Sequence, residues 1–223
     1  MPQINLSDYD CILTRKEFTK LYKTFFKKLI PSNIKSSKNP ICNIYMGPPG
    51  SGKSFLSARD KGFVIIDGDI IISELPNMLK LEQKGIKHGN MIESCNNIGE
   101  QIWENIYNYC ITKKYNISIQ LVYGPSIDEL YQLKKNGYTI NSYFVYTYNA
   151  YENNIKRKIL NLSKKRYLAI LTSMEDLINI FAAYNCSDTF QFACYNKRMT
   201  AKSWEEVVKK IHVILNNIRK HVR

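Results

Sequence analysis

One segment limits what this chain can fold into more than any other: Gly47-Pro48-Pro49-Gly50-Ser51-Gly52-Lys53-Ser54. It satisfies the pattern GxxxxGK[ST], a loop that works only between a buried strand and the start of a helix. Both neighbours are present. Residues 41–46 (Ile-Cys-Asn-Ile-Tyr-Met) form a short apolar, β-favouring run, and residues 53–59 read as a helix start. In that setting the glycines let backbone N–H groups curl around phosphate oxygens, and the helix N-terminus adds partial positive charge. Lys53 reaches the β- and γ-phosphates, and Ser54 offers its hydroxyl to Mg²⁺. ATP and Mg²⁺ are the cofactors so implied. Average residue frequencies give the pattern on the order of once in a hundred chains of this length, before its context is required. The plainer alternatives are a glycine-rich turn that joins strand to helix, or a P-loop retained without turnover.

The rest of the chain alternates in the way such a loop demands. Apolar positions Phe18, Leu21, Phe25, Phe26 and Leu29 recur at helical spacing and stop at Pro31. Residues 62–67 predict a second buried strand ending in acid. A helix over 91–114 carries Ile92, Ile98, Ile102, Trp103, Ile106 and Tyr109 as its inner stripe, and a third strand over 117–123 stops at Gly124-Pro125. Ser126-Ile127-Asp128-Glu129 opens a further helix as an N-cap followed by acid, and Gly137 closes it before a strand over 140–148. Helices over 150–169 and 174–184, a strand over 189–195 and a closing helix over 204–219 complete the reading. Five strands that are apolar on both faces predict a three-layer α/β fold, a parallel sheet flanked by helices, with ligands at the carboxyl ends of the strands. No Pro/Gly/Ser-rich linker divides the chain, so residues 41–223 read as one P-loop domain with an N-terminal helical extension over 1–40.

Two further groups of residues carry chemistry. Asp67-Gly68-Asp69 ends the second strand and would set two carboxylates at the edge that holds the phosphate loop. One could activate a hydroxyl acceptor while the other helps hold magnesium, although Asp69 could instead cap the following helix. The basic stretch Lys156-Arg157-Lys158 and Lys164-Lys165-Arg166 lies within a lid segment of about 150–170. Arg157 and Arg166 are candidates to stabilise charge on a transferring phosphoryl group, against the alternative of a solvated helix face. His88, His212 and His221 are isolated and read as surface or packing residues.

A formal net charge of +13 favours anionic partners, nucleotides or nucleic acid among them, unless an AT-rich coding bias explains the abundance of Lys, Asn, Ile and Tyr. Such usage fits a viral, parasitic or low-GC source. The six cysteines show neither a CxxC pair nor a Cys/His cluster, and several fall in apolar runs as small hydrophobes. With no leader and no apolar run of about 18 residues, a cytoplasmic, reducing compartment is expected.

GPPGSGKS, followed by VIIDGD and later by a strand ending in Cys194-Tyr195-Asn196, resembles the zeta toxin family and related P-loop kinases, polynucleotide and gluconate kinases among them. The resemblance covers about residues 41–200. It implies a five-stranded parallel sheet, ATP-dependent phosphorylation of a hydroxyl on a small molecule or nucleic acid end, and Asp67 as the base, with Asp69 the alternative. Two stretches depart from the group. Tyr123-Gly124-Pro125-Ser126 stands where relatives often carry an acidic or Asp-Gly-Thr turn, so magnesium would rely on Ser54, Asp67 or Asp69 and on ATP itself. Residues 85–90 match no pattern for a sugar, nucleotide or polynucleotide. A catalytically silent nucleotide-binding or virion structural module is the competing reading, and simple ATP hydrolysis is a third.

Overall fold

A computed structural model describes residues 9–84, 92–145 and 174–193. Its elements run in the order α1 (Arg15–Leu29), β1 (Ile41–Met46), α2 (Lys53–Ser57), β2 (Val64–Asp67), α3 (Gly68–Ser73), α4 (Pro76–Gln83), α5 (Glu93–Lys113), β3 (Ile117–Leu121), α6 (Ile127–Lys135), β4 (Thr139–Val145), α7 (Met174–Cys186) and β5 (Thr189–Ala193). The five strands form one sheet in the order β2-β3-β1-β4-β5, every pair parallel. The expected α/β sheet flanked by helices is therefore present.

The central strand explains why the motif sits where it does. From Cys42 to Met46, β1 is buried at every position, as a strand covered on both faces must be. It pairs with β3 on one side (Ile44 beside Ile119) and with β4 on the other (Ile44 beside Ser142). Its carboxyl end thus points the chain into the middle of the sheet edge. Two helices show the start signals written in their sequences. Thr14 and Glu17 exchange hydrogen bonds as a capping box for α1, and Ser126 and Glu129 do the same for α6. The apolar face of α1 joins the common core, with Phe25 buried and Phe18, Leu21, Tyr22, Phe26 and Leu29 packed against it. Helix α1 thus shares one hydrophobic cluster with the sheet.

Several boundaries differ from the sequence reading. The helix after the loop ends at Ser57 rather than 59, and the third strand ends at Leu121 rather than 123. Residues 68–83, to which periodicity gave no element, form α3 and α4; their six- and eight-residue lengths give a 3.6-residue period too few turns to register. In α5 the buried stripe is Cys95, Gly99, Ile102, Ile106, Tyr107, Cys110 and Ile111, while Ile98, Trp103 and Tyr109 are only partly buried against it. Cys42 and Cys110 are buried free thiols, as the small-hydrophobe reading expects, but Cys11 and Cys95 are joined in a disulfide across 84 residues of sequence and Cys186 is exposed. The basic segment 150–170 with Arg157 and Arg166, the segment 85–90, Cys194-Tyr195-Asn196 and the closing helix lie outside the described residues. Among the described residues no helix is long and apolar enough to cross a membrane.

Candidate active site

The phosphate loop begins at a position only glycine can fill. Gly47 has φ 144°, and a Cβ there would stand 2.1 Å from the carbonyl oxygen of Val145 at the end of β4. Pro48 and Pro49 have no amide hydrogen, and the Ser51 N–H is spent on the Pro48 carbonyl at 3.1 Å. The donors for an anion therefore come from the start of α2, whose first amides have no partner within the helix. With five residues α2 has little dipole to offer, so these amides act as hydrogen-bond donors rather than through a helix dipole. The Lys53 ammonium lies across the loop, donating to the Gly47 carbonyl at 2.7 Å and the Pro48 carbonyl at 3.2 Å. Desolvation in this crowded setting pulls its pKa down to about 8, against the opposing pull of the Asp69 and Asp67 carboxylates. Ser51 Oγ is buried without a hydrogen-bond partner among the described residues, a polar atom inside the loop that an anion could satisfy.

Asp67 and Asp69 stand at the same edge, and they differ. Asp67 is buried at the end of β2 and is itself the N-cap of α3: its Oδ1 accepts from the Asp69 N–H at 3.0 Å. The capping role weighed for Asp69 belongs to Asp67. Burial, reinforced by the neighbouring Asp69 carboxylate, raises the Asp67 pKa from 3.8 to about 6, while the α3 amides and Lys53 partly offset the rise. Asp69 is exposed and lines the cleft.

Gln120, unremarked in the sequence, sits on β3 one residue before its end, beside the start of α2. Ser54 Oγ donates to Gln120 Oε1 at 2.8 Å, and Gln120 Nε2 donates to Ser57 Oγ at 2.8 Å. The neutral amide thus fixes both the first and the last hydroxyl of α2. No cluster of three or more His, Cys, Asp or Glu fit to hold a metal occurs among the described residues.

These residues enclose two adjoining clefts. One, of about 310 Å³, is lined by Gly50, Gly52, Lys53, Ser54, Asp67 and Tyr123, among others. The other, of about 410 Å³, is lined by Ile72, Asn96, Glu100, Trp103, Glu104 and Glu129. Gly68, Asp69, Gln120 and Leu121 line both, so the clefts share a wall. The structure brings together Lys53, Ser54, Asp67 and Asp69 as the motif reading requires. Gln120, Asn96, Glu100 and Glu104 were not singled out, and Trp103 was read as core. No short pattern marks them; a clue for Glu100 and Glu104 is their i, i+4 spacing on the face of α5 beside Trp103.

No family model matches the chain, and no curated protein matches it in sequence. Solved structures do resemble it. One, from the PezAT chromosomal toxin–antitoxin system of Streptococcus pneumoniae, is 19% identical with a TM-score of 0.62, over 92% of this chain and 98% of that one. A kinase so described from Chloroflexus aurantiacus is 12% identical with a TM-score of 0.44, over 82% and 96%. A shikimate kinase from Acinetobacter baumannii, in complex with shikimate, is 15% identical with a TM-score of 0.42, over 88% and 98%. At these identities the likeness shows the fold. With the sheet described above, it is the three-layer α/β fold that the sequence predicted.

Proposed function

We propose that this chain is a phosphotransferase that moves the γ-phosphoryl group of ATP to a hydroxyl. The observation that carries the reading is the shared wall between the two clefts. A hydrolase needs only a nucleotide cleft, whereas a second cavity across Asp69 gives an acceptor its own place beside the transferred group. The polyphosphate would lie along residues 47–54, with Lys53 and the α2 amides donating to its oxygens. The acceptor oxygen attacks phosphorus, its proton passes to Asp67, the bond from phosphorus to the β,γ-bridging oxygen breaks, and ADP leaves. A carboxylate whose pKa is held at about 6 suits a base near neutral pH.

The hydroxyl of Ser54 and the carboxylate of Asp69 are hard oxygen donors of the kind magnesium takes with a nucleotide. Bound there, the ion would neutralise charge on the phosphates. Arg157 and Arg166 stay in this proposal as candidate cations over the γ-phosphate. Residues before 41 are a helical extension of the P-loop domain. A silent nucleotide-binding module is the second reading, favoured by the neutral Gln120 beside Ser54.

The test is transfer of radiolabel from γ-labelled ATP to a pool of hydroxyl compounds, with Lys53→Ala beside the parent chain. Equal labelling by both proteins removes the enzyme reading. Asp67→Asn and Asp69→Asn then assign the base: the larger loss is expected for Asp67, and a larger loss for Asp69 reverses the roles.

A further inference from the structure

The second cleft has a charge opposite to that of the chain. Lys and Arg outnumber Asp and Glu by 32 to 19 overall, yet no Lys or Arg is among the described residues lining this cavity. Glu100 and Glu104 stand one helical turn apart on α5, and Asp69 closes the end next to the phosphate loop. Beside them is the indole of Trp103, held flat on Tyr107 with ring centroids 4.8 Å apart and planes 18° from parallel. Asn96, one turn before Glu100, has a buried side-chain oxygen with no hydrogen-bond partner among the described residues. An aromatic face and several acceptor groups thus meet in a cavity of about 410 Å³, within the usual size of small-molecule sites.

We propose that this cleft is the acceptor site and that it takes a hydroxyl-rich ring bearing a protonated amine, of the amino sugar or aminocyclitol kind. The inference rests on the phosphotransferase reading above. Carboxylates accept hydrogen bonds from ring hydroxyls and bind an ammonium more strongly still. An indole face packs on the apolar face of such a ring and attracts a cation. An acceptor that already carries phosphate would bring negative charge against Asp69, Glu100 and Glu104 at once, with no Lys or Arg among the described lining residues to offset the repulsion. The same argument disfavours a nucleic acid end. The hydroxyl beside Asp69 receives the phosphoryl group, giving a phosphate monoester and ADP with its proton on Asp67.

The full chain, supplied with ATP and magnesium, is assayed with neamine, glucosamine, glucose, glucose 6-phosphate and a 5′-hydroxyl oligonucleotide. The amine-bearing rings should show the highest kcat/KM, glucose a lower one and the phosphate-bearing compounds the lowest. The double substitution Glu100→Gln, Glu104→Gln should raise KM for glucosamine roughly tenfold, the equivalent of one charge-assisted contact, and raise it less for glucose. Phosphorylation of glucose 6-phosphate or the oligonucleotide as efficient as that of glucosamine overturns the proposal, as does an unmoved KM for glucosamine. Should none of the five be phosphorylated, Trp103 fluorescence in a Trp204→Phe chain decides: a saturable change with neamine and none with glucose 6-phosphate supports the site, and a flat titration with both amines overturns it. Calorimetry with ATP on the same preparation keeps the two failures apart. Absent ATP uptake removes the phosphotransferase reading itself, whereas ATP uptake without amine binding removes only the acceptor assignment.

Discussion

The two clefts that meet at Asp69 are built in opposite ways. The nucleotide cleft takes its anion-binding groups from one continuous stretch, residues 47–54, whose work is done by backbone amides, one ammonium and one hydroxyl. The neighbouring cleft gathers side chains from α3, α5, β3 and α6, and its lining is acidic where the loop is cationic. Main-chain recognition needs particular φ values and therefore particular residues in a row, which leaves a strict local signature. Side-chain recognition needs only that certain groups meet in space, and the fold can bring them from anywhere. One cleft can therefore be found in a string of letters, and the other appears only after folding.

The strongest way to break this comparison is to remove the ammonium of the phosphate loop. Lys53→Ala should lower phosphoryl transfer by roughly 10³-fold or more while leaving the thermal transition in place, measured by label transfer and by circular dichroism. If transfer survives, the short motif is not the seat of the chemistry. Asp67→Asn should cost about 10²- to 10⁴-fold in kcat, and yet it should stabilise the fold. Burial makes the folded chain hold the Asp67 proton more tightly than the unfolded chain, from 3.8 to about 6. The parent should therefore gain stability as pH falls from above 6 toward 3.8, by on the order of 3 kcal/mol. Asparagine, still able to cap α3, should remove that dependence, and denaturant titrations at pH 4 and 8 measure it. A parent protein equally stable at both pH values would show that the carboxylate is better solvated than its burial implies.

A smaller effect comes from the hinge between motif and sheet. Gly47→Ala drives a methyl group into the Val145 carbonyl and should lower stability by about 2–4 kcal/mol, read from urea midpoints. Next, kcat/KM should rise through pH 6 as Asp67 ionises and fall above about 8 as Lys53 loses its proton; a profile flat from 5 to 9 would remove both from the rate-limiting chemistry. The mildest change is Gln120→Leu, which strands the hydroxyls of Ser54 and Ser57 and should cost about 1–2 kcal/mol in stability. A neutral result would mean that water replaces the amide.

The legible and illegible parts divide along the same physical line. Strand alternation, the capping signal at Ser126 and the loop at 47–54 were readable because each is decided within a few residues. The assignment of the helix cap to Asp67 rather than Asp69 was not readable, since either residue satisfies the local preference and the β2–α3 junction decides. The six-residue helix α3 was missed because its apolar run Ile70-Ile71-Ile72 has no helical period and is shaped by packing on α5. Gln120 carries no local pattern that marks it. Its amide matters only through Ser54 and Ser57, which lie more than sixty residues earlier.

The register of the sheet bears on how this protein is born. Residue 41 pairs with residue 139, and residue 42 with residue 117, so the strand that feeds the phosphate loop has no permanent neighbour when it leaves the ribosome. A nascent chain cut short at 110 would carry the whole nucleotide signature and have no frame to hold it. Competence to grip a nucleotide must arrive late in synthesis, when β3 and then β4 close on either side, and until then the apolar stretch 41–46 depends on chaperones or on speed.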